Sequence, residues 1–97
     1  MMRVRLLPEA ENELFEAAQW YREQSFGLDY EFMRCMDEAM QRIGRTPHMF
    51  PVVHQGKRRI LAKRFPYSII FDVIESEILI YAIFHFSRNP KRWKRRS

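Results

Sequence analysis

Tyr67-Ser68-Ile69-Ile70-Phe71-Asp72-Val73-Ile74 and Ile78-Leu79-Ile80-Tyr81-Ala82-Ile83-Phe84-His85-Phe86, linked by Glu75-Ser76-Glu77, decide the fold. Both runs are crowded with β-branched and aromatic side chains, which suit a pleated and largely buried surface. The polar link between them is short, so the two runs read as a β-hairpin. Just upstream, Arg58 to Phe65 mixes basic and apolar residues as a third strand, and Pro66 breaks it from the hairpin. Three consecutive strands with short links favour an antiparallel sheet.

Toward the N-terminus the period changes. Arg3-Val4-Arg5-Leu6 alternates charge and apolarity, the mark of a half-buried strand running to Leu7. Pro8 stops it and suits the first turn of a helix, where its missing N–H costs nothing. Glu9, Glu11 and Glu13 then oppose the positive end of the helix dipole. Ala10, Leu14, Ala17, Ala18 and Tyr21 form one apolar face, while Phe15 and Trp20 lie off it. A helix over 9–25 follows, with Gly27 as its left-handed cap. A second helix over 28–45 has Asp29 and Glu31 at its start and a stripe of Phe32, Met36, Ala39, Met40 and Ile43. Arg42 and Arg45 favour its C-terminal end, and Thr46-Pro47 closes it. Residues 47–56, with two prolines, read as a connector.

The expected architecture is α+β in the order β-α-α-β-β-β. The N-terminal helical hairpin covers one face of the antiparallel sheet and leaves the other exposed. Ninety-seven residues suit a single domain spanning 1–97, with a basic tail over 88–97.

Cys35 is the sole cysteine, so no intramolecular disulfide is available, and it reads as a small packed side chain. The N-terminus is too short in its apolar run and too charged for a signal peptide. No stretch approaches the ~20 apolar residues of a membrane helix. Together these features point to the cytoplasm and away from a membrane.

Charge is divided unevenly. Residues 1–56 carry six basic and nine acidic side chains, a net of −3, and residues 57–97 carry eleven and three, a net of +8. Such asymmetry implies a basic surface and an anionic partner. It lies in two clusters. Lys57, Arg58, Arg59, Lys63 and Arg64 put cations on both sides of one strand, which suggests a sheet edge, where charge also suppresses stray strand pairing. The tail, Asn89 to Ser97, interleaves cations with Trp93. Lys91, Arg92 and Lys94 can bind phosphates while Trp93 offers a platform for a base, or Trp93 can fold back onto the body.

Catalytic signals are sparse. The three glycines lie far apart, which excludes a phosphate-binding glycine loop, and His48, His54 and His85 lack metal-ligand spacing. Neither a metal nor a cofactor is expected. The constellation of most interest is His85-Phe86-Ser87-Arg88. Histidine exchanges protons near neutrality, and an arginine can grip a phosphate in bidentate fashion. With Arg59 or Arg64, these two residues could support general acid–base cleavage of RNA; a hydrogen-bonded structural histidine is the competing reading.

Four stretches of the chain resemble the RelE/ParE superfamily of bacterial toxins, often described as plasmid stabilisation proteins. They are Leu7-Pro8-Glu9-Ala10-Glu11 leading to Trp20-Tyr21; Thr46-Pro47 followed by Phe50-Pro51; Arg64-Phe65-Pro66-Tyr67 with Ile69-Ile70-Phe71; and His85-x-x-Arg88-x-Pro90-x-x-Trp93. The resemblance implies the toxin of a type II toxin–antitoxin module, which inhibits growth until an acidic antitoxin binds it in a hetero-oligomer. ParE-like members inhibit DNA gyrase. RelE-like members cleave messenger RNA on the ribosome, with basic residues and a C-terminal tyrosine or histidine. No tyrosine follows Tyr81, and the long two-helix N-terminal half looks closer to ParE-type chains. Gyrase is therefore the favoured target. In the nuclease alternative His85 is the acid or base and Arg59, Arg64 and Arg88 stabilise the phosphate, with no metal. Lys57, Arg58, Lys63, Arg92, Trp93 and Lys94 are the expected partner-binding residues. A non-catalytic nucleic-acid-binding module is the reading from another class.

Overall fold

In the computed structural model, which describes residues 1–96, strand β1 (Arg3–Leu6) leads into helices α1 (Pro8–Gln24) and α2 (Leu28–Arg45). A 3-10 turn at Pro47–Met49 follows, then strands β2 (Val52–His54), β3 (Lys57–Leu61), β4 (Tyr67–Ile74) and β5 (Glu77–His85). A short helix α3 (Lys91–Lys94) closes the described chain. Ser97, the last residue of the basic tail, lies outside the described residues. The class is α+β, with the helical hairpin over one face of a single sheet, and β3, β4 and β5 pair antiparallel as the sequence implies.

The predicted helix stripes are the buried ones. Ala10, Leu14, Ala17 and Tyr21 of α1 and Phe32, Met36, Ala39 and Ile43 of α2 join Ile60, Phe65, Ile69, Phe71, Ile78, Ile80 and Ile83 in the main core. Cys35 is half-buried against that core. Gly27 does adopt a left-handed conformation, φ 84°, but as the residue entering α2; α1 ends earlier, on an extended Ser25.

Three features depart from the sequence reading. The connector contains a fourth C-terminal strand, β2, hinged to β3 through Gln55 and Gly56 at φ 46° and 78°. Two successive positive φ values make the tight turn whose twist matches a hairpin. Because β2 flanks β3 in the order β1-β5-β4-β3-β2, the basic strand is not at the edge. Its cations are accommodated one by one: Arg59 faces the partly covered outer side, Lys57 lies over the Tyr81 ring, and Arg58 meets backbone carbonyls of the connector. Third, β1 pairs parallel with β5, so the sheet is mixed. After β1, the α1–α2 hairpin carries the chain away from the sheet and back, and β1 is left lying alongside the last strand.

A bulge in β5 sets which residues face the helices. Ile70 pairs with Ala82 and Phe71 with Ile80, leaving Tyr81 without an opposite residue. One extra residue reverses the alternation. Ile78 and Ile80 belong to the helix-side core before the bulge and Ile83 after it, while Tyr81 and Ala82 face the other way. On that opposite face, Trp93 from α3 packs with Ile70, Tyr81 and Ala82 as a second cluster. The outer face is therefore partly covered by the tail rather than left open.

Candidate functional site

β1 pairs with β5 only as far as Ile80, where the Leu7 N–H donates to the Ile80 carbonyl at 3.0 Å. Beyond that point the strand edge is taken over by side chains. Glu13 of α1 accepts the Ile83 N–H at 3.0 Å, and Arg96 donates to the Tyr81 carbonyl at 3.0 Å. The Arg96 guanidinium also meets both Glu13 oxygens, at 2.6 and 3.1 Å. This hydrogen bond to Glu13 holds the Arg96 pKa above its ordinary value, against the opposing effect of burial. The clamp fastens the tail across α1 and β5.

Next to the clamp, a groove of about 520 Å³ runs between α1 and the end of β5. Glu13, Glu16, Ala17 and Trp20 line it from α1, at helical spacings that put them on one face. Tyr67, His85, Ser87, Arg88 and Arg92 line it from the sheet and tail. Trp20, the off-stripe aromatic, is 56% exposed and stands edge-on to Tyr21 at 5.0 Å between ring centroids. Tyr67 contacts His85 edge-on at 5.3 Å. Burial raises the Tyr67 pKa, Tyr21 adds to the rise, and the Arg88 charge pulls it back.

His85 is held locally. The Ser87 backbone N–H donates to His85 Nδ1 at 3.0 Å, and Ser87 Oγ lies 2.8 Å from the same atom. A backbone N–H can only donate, so Nδ1 is the acceptor and the imidazole proton sits on Nε2. The Arg88 N–H donates to the His85 carbonyl at 3.0 Å, closing a turn after which both residues line the same groove.

The other sequence-singled residues lie elsewhere. Arg59 pairs with Ile70 and faces the outer side of the sheet, in a second groove of about 580 Å³ with Leu61, Phe86, Arg88 and Lys94. Arg64, at φ 70°, reaches Glu31 of α2 at 3.5 Å, and Lys63 reaches Glu38 at 3.6 Å. Arg58 turns to the helix side and donates to the carbonyls of Phe50 at 2.6 Å and His48 at 3.3 Å, anchoring the connector. Lys57 is buried, its ammonium 4.6 Å above the Tyr81 ring. Trp93 is 3% exposed, with Lys94 5.8 Å from its ring centroid, and Arg92 is exposed at the groove. Of the quartet His85, Arg88, Arg64 and Arg59, Arg88 shares one groove with His85 and the other with Arg59, while His85 shares neither groove with Arg59 or Arg64.

Trp20 and Tyr67 have no chemical role in the sequence reading, Glu13 figures there only as a charge opposing the helix dipole, and Ser87 only as a residue between His85 and Arg88. Trp20 carried a signal, since a tryptophan off the buried stripe needs another surface to meet. Among the described residues no group of three or more His, Cys, Asp or Glu side chains could hold a metal ion. None of their helices is long and apolar enough to cross a membrane.

No protein-family model matches this chain, and no curated protein does. A chain of a solved structure, described as the chromosomal ParDE TA (toxin–antitoxin) system from P. aeruginosa, shares its architecture with a TM-score of 0.65. The two are 19% identical over 88% of this chain and 96% of that one. The chain therefore shares the fold of that chain of the ParDE system.

Proposed function

We propose that this chain is the toxin of a bacterial type II toxin–antitoxin module, arresting growth by a ParE-like inhibition of DNA gyrase in the cytoplasm. The observation that carries the reading is the shared fold with a chain of a ParDE system over most of both lengths. The preference for gyrase is supported by the separation of His85 from Arg59 and Arg64. A nuclease needs its acid or base and its phosphate-stabilising cations around one scissile bond, within hydrogen-bond reach. Here Arg59 faces the opposite side of the sheet, and Arg64 is engaged by Glu31. A gyrase inhibitor needs contact surface and no such convergence.

The antitoxin in this reading is acidic and is attracted by the basic half of the chain, through the Lys57–Arg64 region or through Arg92 and Lys94 of the tail. A second reading has one observation in its favour. His85, oriented by Ser87 and adjacent to Arg88, is a fragment of the acid–base apparatus that a ribosome-dependent messenger RNA endonuclease would use. A plain nucleic-acid-binding module would use the same cations without chemistry.

Inducing the gene with and without the gene beside it tests the module reading. Growth arrest that the neighbour relieves is the expected result. Induction that leaves growth unaffected, in a protein that still binds nucleic acid, would favour the plain binding module.

A further inference from the structure

The groove between α1 and the end of β5 has a chemistry that neither strand pairing nor core packing uses. We propose that it binds a guanine nucleoside monophosphate. Its volume, about 520 Å³, is in the range of small-molecule sites, about 300–1,000 Å³. Trp20 offers a half-exposed indole, fixed edge-on against Tyr21, as a stacking surface for a base. Arg88 and Arg92 are exposed cations with no ion-pair partner among the described residues, and a guanidinium fork matches a phosphate. His85 adds an Nε2–H donor, because Ser87 holds Nδ1 as the acceptor.

Glu16 supplies the base preference. Glu13 is consumed by Arg96 and Ile83, but Glu16 lines the same groove without an ion-pair partner among the described residues. A carboxylate has two acceptor oxygens side by side. Guanine presents two adjacent donors on its Watson–Crick edge, N1–H and the N2 amine, whereas adenine offers a single amine there. Glu16 precedes Trp20 by one helical turn, about 6 Å along the axis, so one base can meet both side chains. Two arginines against one unengaged carboxylate leave the groove net positive, as a phosphate dianion requires.

Calorimetric titration of the full chain with GMP, guanosine, AMP and inorganic phosphate at fixed ionic strength tests the site. GMP should bind at least about tenfold more tightly than guanosine or phosphate, since only GMP uses both ends of the groove. Trp20→Ala and Arg88→Ser should each weaken GMP by about tenfold or more, and Glu16→Gln should abolish the preference over AMP. Circular dichroism of each variant checks the fold, and all three positions are solvent-facing. A GMP affinity no better than that of phosphate, or one indifferent to Trp20→Ala, would overturn the proposal, because it would report only attraction to the basic tail. A 5′-phosphorylated guanosine-led trinucleotide should compete no better than GMP. Tighter binding by the trinucleotide would overturn the free nucleotide in favour of an RNA end.

Discussion

Glu13 and Arg96, 83 positions apart, form the one ion pair of the described residues in which both side chains are largely shielded, with a closest approach of 2.6 Å. The pair sits where β5 has run past its parallel neighbour, and its remaining hydrogen bonds go to the Ile83 N–H and the Tyr81 carbonyl. Charged side chains thus replace a missing strand along this edge. They also hold α3 down, which keeps Trp93 over the outer face of the sheet.

Arg96→Ala should destabilise the protein by about 1–3 kcal/mol, the range for losing hydrogen bonds to charged groups and leaving a partly shielded carboxylate without its partner. Urea unfolding reads this directly. A change below about 0.5 kcal/mol would place the pair with ordinary surface ion pairs. The exposed pairs Arg5–Glu77, Lys63–Glu38 and Arg64–Glu31 should each contribute within about 1 kcal/mol or less.

Phe32 is fully buried and meets Tyr21, Phe65 and Tyr67 at centroid distances of 5.0, 5.3 and 5.2 Å. Phe32→Ala should cost about 3–5 kcal/mol, combining lost transfer energy with the cavity left behind. Unfolding in urea by less than about 2 kcal/mol would mean that the aromatic cluster collapses around the gap.

The Tyr81 hydroxyl and the Trp93 indole N–H are buried without a hydrogen-bond partner among the described residues. Tyr81→Phe deletes one of these unsatisfied groups and keeps the ring beneath the Lys57 ammonium. Stability should hold or rise by up to about 1 kcal/mol. A loss beyond that range would mean that the hydroxyl is satisfied in solution.

Tyr21 and Tyr67 both ionise less readily in the fold than their ordinary value of 10.0, chiefly because of burial. A raised folded pKa means that the unfolded chain releases its proton first as pH rises. The associated stability is complete below pH 10.0 and is lost as pH climbs through the folded pKa values. The urea midpoint should therefore fall above about pH 10, and Tyr67→Phe should flatten that fall. A midpoint that is level from pH 8 to pH 11 would contradict the burial of these hydroxyls.

The helices and the central hairpin were legible in the sequence because burial enforces period. Ala10, Leu14, Ala17 and Tyr21, and Phe32, Met36, Ala39 and Ile43, could face nothing but a core. β2 was hidden because it is three residues long, follows Pro51, and exposes Val52, so no alternation could develop. The Tyr81 bulge was hidden as well, since Ile78 to Ile83 is apolar at almost every position and shows no phase to shift. His85 and Arg88 were found together because they lie three residues apart along one turn. Arg59 and Arg64 join them in the sequence as cations of the neighbouring sheet region, and neither charge nor strand neighbourhood says which face of a sheet a residue occupies. Glu13 gave no signal, because its role depends on a strand edge 70 positions away.

A supercoiling assay of DNA gyrase with the purified chain, run beside its His85→Ala variant, decides whether the protein is a gyrase inhibitor. Both proteins should block supercoiling, since removing an imidazole from a contact inhibitor removes no chemistry. Gyrase left untouched by a chain that instead cuts messenger RNA on ribosomes would contradict gyrase inhibition. In that case His85→Ala would lower cleavage on the order of 10²–10⁴-fold, as expected for the loss of a general acid or base.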